Sequence, residues 1–173
     1  MPPRLHRLLL AGFSRLPAPV RRRLVRWGSP SYTVGAICRI ERADGRVLLI
    51  EQRYRRRWGL PGGLLARGER ADDAVRREVR EEVGLEIELI GEPLVVVDPA
   101  PRRVDVVFRA VPQSNAGLDD LEPCSPEIAS VRWFRPDDLP DLQPETAGAL
   151  SVLDAAGAAS APDAAGHGRP PAH

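Results

Sequence analysis

Glu78, Glu81 and Glu82 stand at i, i+3 and i+4 in the stretch from Ala71 to Val83. On a helix that spacing puts three carboxylates on one side, with Cβ neighbours roughly 5–6 Å apart. Like charges so placed cost about 0.2–0.5 kcal/mol per pair in an isolated helix. A divalent cation removes that cost and makes the cluster a hard, all-oxygen site. Just upstream, Gly59-Leu60-Pro61-Gly62-Gly63 leaves so little side-chain bulk that backbone can approach a ligand closely. The chemistry within reach is metal-assisted work on an anion. The plainer reading is a solvated charged helix whose acids are neutralised by Arg76, Arg77 and Arg80.

The positioning elements are legible around those residues. Val75, Val79 and Val83 repeat at i, i+4 and i+8, a narrow apolar stripe, and Gly84 falls where a helix C′ residue belongs. Asp72 and Asp73 occupy the first turn, where the helix dipole favours acids. Arg70 stands at the N-cap position and offers no side-chain acceptor, so only an acidic neighbour could serve.

Gly63, five residues, Glu69, seven residues, then Arg77-Glu78-Val79-Arg80-Glu81-Glu82-Val83-Gly84-Leu85 resembles the Nudix box at every fixed position. That box is the signature of hydrolases cleaving a nucleoside diphosphate linked to another moiety. Trp58-Gly59-Leu60-Pro61-Gly62-Gly63 is similar to the family's lead-in. The resemblance implies an α/β fold, a Nudix-like α/β/α sandwich around a mixed β-sheet. It implies a pyrophosphohydrolase dependent on Mg²⁺, or Mn²⁺ in its place, with Glu81 and Glu82 as metal ligands and Glu78 as a further ligand or the base. The Gly63 carbonyl would join the metal site, and Glu69 with Arg77 would hold the glycine loop against the helix.

The family often draws one more carboxylate from outside the box, for which Glu127 is the candidate; Asp119, Asp120 and Glu122 stand behind it. Ala66 departs from the common pattern, since many relatives carry an acid there. The small-molecule substrate class spans ADP-ribose-like compounds, nucleotide sugars, dinucleotides and modified nucleoside triphosphates. No NADH-pyrophosphatase-like motif follows the box. The alternative is a Nudix-fold nucleotide-binding sensor or interaction module without hydrolysis. Such domains usually lose acids from the box, and this chain keeps them all.

The 173 residues suffice for one domain with tails, and the net charge of +1 singles out no partner. All 25 basic residues are arginine, and no acid precedes Glu41. Residues 1–28 therefore read as a basic N-terminal arm with apolar positions Leu5, Leu8, Leu9 and Phe13. Three roles stay open for it: packing on the domain or on a second subunit of a homodimer, touching an anionic membrane surface, or serving as a cleaved targeting peptide. Residues 29–155 form the expected hydrolase domain and 156–173 a disordered Ala/Pro/Gly tail.

Aromatic residues are only 5% of the chain, too sparse for a stacking platform, so no specific nucleic-acid partner is expected. Cys38 and Cys124 have no disulfide or metal spacing and read as free thiols of a reducing compartment, the cytoplasm. His6, His167 and His173 lie in the expected tails. Arg53-Tyr54-Arg55-Arg56-Arg57 runs straight into the glycine turn, which makes Arg53, Arg55 and Arg57 candidates for substrate phosphates. Strands are expected over 32–40, 46–52, 86–89, 94–97, 104–111 and 128–134, with a last helix over 146–155.

Overall fold

The computed structural model describes Phe13, residues 16–28 and residues 31–160. The Leu5–Leu9 part of the arm and the tail after 160 lie outside the described residues. The described residues form seven strands and three helices, in the order α1 (Ala18–Gly28), β1 (Thr33–Ile40), β2 (Val47–Gln52), β3 (Trp58–Gly59), β4 (Gly62–Leu64), α2 (Ala71–Val83), β5 (Ile87–Asp98), β6 (Arg103–Pro112), β7 (Ile128–Phe134) and α3 (Pro144–Ser160).

The strands make two sheets. A four-stranded mixed sheet runs β4-β1-β6-β5, with β1 parallel to β6 and the other pairs antiparallel. A three-stranded antiparallel sheet runs β3-β2-β7. Side chains alternate across a strand, so neighbours feed opposite layers. Ala36, Cys38, Ile40, Leu48, Ile50, Phe108 and Ala110 pack with Ala74, Val75, Val79 and Val83 of α2. Their neighbours Ile37, Val47, Leu49 and Val107 pack with Ala149, Leu150 and Leu153 of α3. The two helices thus cover opposite faces, an α/β/α sandwich. Burial on both faces explains why Val47-Leu48-Leu49-Ile50 is an unbroken apolar run.

α2 forms as its stripe dictates: Val75, Val79 and Val83 are buried, each worth about 1.5–3 kcal/mol. Arg70 at its N-cap makes no side-chain cap bond. Gly84 closes it in the left-handed region at φ 67°, its N–H donating to the Arg80 carbonyl.

Three expectations are corrected. The two strands expected over 86–89 and 94–97 are one strand, β5, whose register against β6 shifts between Ile90 and Leu94; Gly91, at φ 65°, absorbs the irregularity. Arg103, expected in a loop, opens β6 as the register partner of both Thr33 and Asp98. The disorder expected from residue 156 does not begin there, because α3 runs on to Ser160 through a run rich in alanine, the best helix former. In the arm, α1 leaves Trp27 83% exposed. No helix among the described residues is long and apolar enough to cross a membrane.

Candidate active site

The turn between β3 and α2 is shaped by what cannot be there. At Gly62, φ is 136°, and a Cβ would stand 2.2 Å from the Ala36 carbonyl oxygen. At Gly63 a Cβ would meet the Glu78 carboxylate at 2.5 Å, so β4 presses directly on the acidic side of α2. The loop that follows is pinned to the helix. Arg77 donates from Nε and Nη2 to the two oxygens of Glu69, at 2.8 and 3.0 Å, and Glu69 Oε2 accepts the Ala66 N–H at 2.7 Å. The guanidinium and the Ala66 N–H hold the Glu69 carboxyl down at about 2.

The three helix carboxylates are not equivalent. Glu82 lies beside Val79 and Val83 on the buried side and is 7% exposed, whereas most of the Glu81 carboxyl faces solvent. Burial pushes the Glu82 carboxyl up to about 8; the Gly62 N–H, donating to Oε2 at 2.9 Å, opposes this, and the charges of Glu78, Glu127 and Glu81 reinforce it. No arginine pairs with Glu82 among the described residues. Arg77 Nη1 instead donates to Glu78 Oε1 at 2.8 Å and to Glu81 Oε2 at 3.2 Å. With those two carboxylates turned toward Arg77, no three acidic, His or Cys side chains among the described residues stand ready-made around one cation.

A cleft of about 460 Å³ opens beside this wall. Gly63, Glu78, Glu82 and Glu127 line it together, and Glu81 does not. Glu127 is carried there by the segment before β7, which the Arg53 N–H clamps by donating to the Glu127 carbonyl at 2.8 Å. The donor set is all oxygen, and its most buried carboxylate carries no compensating charge, so these residues fit a hard divalent cation. Asp119 pairs with Arg42 away from the cleft, and neither Asp120 nor Glu122 lines it.

The arginine tract divides three ways. Only Arg55 lines the cleft, donating from Nη1 to Gln143 Oε1 at 2.8 Å and pairing with Glu145. Arg53 spends its Nε on the Pro126 carbonyl at 2.9 Å, and Arg57 pairs with exposed Asp141 at 3.0 Å.

Sequence reasoning missed Arg103, Tyr54, Gln52, Gln143, Glu145 and Thr146, all of which line the cleft. Arg103 Nε donates to both oxygens of Asp105 at 2.8 Å, and Asp105 is 5% exposed. A Cβ at Gly35 would stand 2.4 Å from Asp105 Oδ1, so β1 makes room for the pair with a glycine. The signal was an arginine and an aspartate at i, i+2 inside an apolar strand, which period two puts on one face. Burial and the charges of Glu127 and Glu82 raise the Tyr54 hydroxyl above its ordinary value, against the pull of Arg55 and Arg103.

A family model described as NUDIX domain matches residues 31–155. Over 126 residues the chain is 32% identical to a MutT-like protein of Streptomyces ambofaciens, covering 73% of this chain and 78% of that one. Over 93 residues it is 33% identical to the NAD-capped RNA hydrolase NudC of Pseudomonas syringae, covering 54% of this chain but only 32% of that one. Among solved structures, a MutT NUDIX hydrolase from Burkholderia pseudomallei is 31% identical with a TM-score of 0.56, covering 70% of this chain and 98% of that one.

Proposed function

The chain belongs to the Nudix hydrolase family, and on that premise we propose that it hydrolyses the diphosphate linkage of a nucleoside diphosphate derivative with a divalent cation, Mg²⁺ or Mn²⁺, held at the acidic wall. One observation carries this reading: four carboxylates and two arginines line a single cleft. Glu78 and Glu82 come from α2, Glu127 from the β7 approach and Glu145 from α3, with Arg55 from the turn after β2 and Arg103 from the start of β6.

Glu78, Glu82 and Glu127, with the Gly63 carbonyl, would hold the cation, and Glu81, paired with Arg77 here, would be a further ligand. When bound, the cation supplies charge neutralisation at the phosphates and lowers the pKa of water. The other steps belong to side chains of this chain. Arg55 and Arg103 bind phosphate oxygens, and each is aimed beforehand by its own acid, Glu145 and Asp105. A carboxylate of the acidic wall takes the proton from the attacking water. The water oxygen bonds to one phosphorus, the bond from that phosphorus to the bridging oxygen breaks, and the second phosphate leaves carrying the bridging oxygen. Glu69 and Arg77 keep the β4–α2 loop in register with the helix and touch no reacting atom.

One relative is named only a MutT-like protein and another an NAD-capped RNA hydrolase, so the names leave the group beyond the diphosphate open. The test is a panel of ADP-ribose, NADH, dinucleoside polyphosphates, nucleotide sugars and oxidised dNTPs, each with Mg²⁺ and each with excess EDTA. Turnover of at least one compound with Mg²⁺ and none with EDTA is expected. Binding without turnover across the panel would make the protein a nucleotide sensor.

A further inference from the structure

The cleft does not end at its arginines. Arg55, Arg103 and Glu145 also line a second, open recess of about 350 Å³, within the size range of small-molecule sites. Its walls come from β5 (Val96), the β5–β6 turn (Pro101) and α3 (Pro144, Gly148), and the carboxylates of Asp98, Asp105 and Glu145 line it too. The Arg55–Glu145 ion pair therefore stands as a partition with one cavity on either side.

The two cavities differ in chemistry. On the acidic side, carboxylates cluster where a cation can balance them. On the recess side, apolar walls offer packing to a ring, and Asp98 and Glu145 accept hydrogen bonds from hydroxyls while repelling further phosphate charge. Val96, half-buried beside Leu94 on the α3 side of β5, gives the recess its apolar strand wall. Val97 pairs with Val104 and points to the opposite face. Gly148 sits inside α3, where glycine is a poor helix former. No protein atom lies within 4 Å of where its Cβ would stand. Packing does not require that glycine, and its effect is to keep the recess open.

Building on the hydrolase reading, we propose that this recess receives a neutral, hydroxyl-bearing group on the far phosphate, with Arg55 and Arg103 spanning the diphosphate between the two cavities. The chain then prefers diphosphates with an organic group at each end over nucleoside triphosphates, whose third phosphate would meet Asp98 and Glu145.

The test compares compounds sharing a base, UDP-glucose against UTP and ADP-ribose against ATP, on the full chain with Mg²⁺. The two-ended member of at least one pair should lead in kcat/KM by about tenfold or more, the scale one pocket's contacts supply. Gly148→Phe fills the recess from the helix and Val96→Trp from the strand. Each should cut that preference about tenfold, whereas Gly157→Phe, on α3 but outside the recess, should leave it as it was. Preference for both triphosphates, or a preference that both filling variants leave intact, overturns the proposal and leaves the hydrolase reading standing. If the Proposed function panel and these pairs all resist hydrolysis, the hydrolase reading fails instead. Calorimetry of UDP-glucose and ADP-ribose on wild type and Gly148→Phe then decides the recess: binding weakened by the variant sustains it, and absent or unchanged binding overturns it.

Discussion

The two halves of the cleft are built in opposite ways. Apart from Glu127, the acidic half, from Gly62 to Glu82, is one contiguous stretch held by short-range bonds such as Glu69 to Ala66, three residues apart. The basic half is assembled from Arg55, Arg103 and Glu145, and its ion pair joins residues 90 apart in sequence. A contiguous site is fixed by a turn and a helix, whereas a dispersed one exists only after both sheets and α3 have packed. The first half should therefore answer to local substitutions and the second to the tertiary fold.

The largest effect is expected on the acidic side. Glu82→Gln should lower kcat by about 10²–10³-fold, the scale of losing a preorganised transition-state stabiliser. Stability without metal should hold in acid and rise relative to wild type as pH climbs from about 4.5 to 8, the window in which a carboxyl pushed up to about 8 must take up a proton on folding. Melting without metal beside kcat at saturating Mg²⁺ separates this outcome from loss of fold.

On the basic side, activity and stability should fall together. Arg103→Ala should cost about a hundredfold in kcat/KM. It should also cost about 1–3 kcal/mol of stability, because buried Asp105 loses its partner. Urea melts of Arg103→Ala, Asp105→Asn and the double variant give the coupling directly. If Arg103→Ala lowered activity with no loss of stability, the contrast between the halves would be gone.

Glu69 supplies a pH-dependent version of the local pinning. Its carboxyl is held at about 2, below its ordinary value of about 4.5. A depressed carboxylate stabilises the fold fully above its unfolded value, and that contribution is lost as pH falls from about 4.5 toward 2. Glu69→Gln should flatten the stability profile in that window, as read by thermal melts. An unchanged acid limb would mean that the Arg77 pair does not hold the loop. The smallest effect belongs to Arg57→Ala, whose partner Asp141 is exposed. Stability should change by less than about 0.5 kcal/mol, with kcat/KM unaltered.

The same contrast explains what could be read from the chain. The shared helix side of Glu78, Glu81 and Glu82 was legible because a 3.6-residue period acts over short distances, whereas the Glu69–Arg77 pair came from the resemblance to the box. That Glu82 is buried while most of Glu81 faces solvent was half legible, from the place of Glu82 between Val79 and Val83. Arg103 was not, because an arginine after a proline turn reads as loop until β1 and β5 are seen on either side of it. Arg53, Arg55 and Arg57 share one tract, and only the partners Pro126, Gln143, Glu145 and Asp141 distinguish them. The merging of two expected strands into β5 turned on a single register shift, which a strand pattern does not announce.

The central claim is a division of labour: the acids hold the cation and the arginines hold the phosphates. Mn²⁺ titration followed by electron paramagnetic resonance, on wild type, Glu82→Gln and Arg103→Ala without substrate, tests it most directly. The account predicts that wild type and Arg103→Ala bind Mn²⁺ alike and that Glu82→Gln binds it about tenfold or more weakly. Mn²⁺ binding that Glu82→Gln leaves intact, or that Arg103→Ala abolishes in a folded protein, would contradict it.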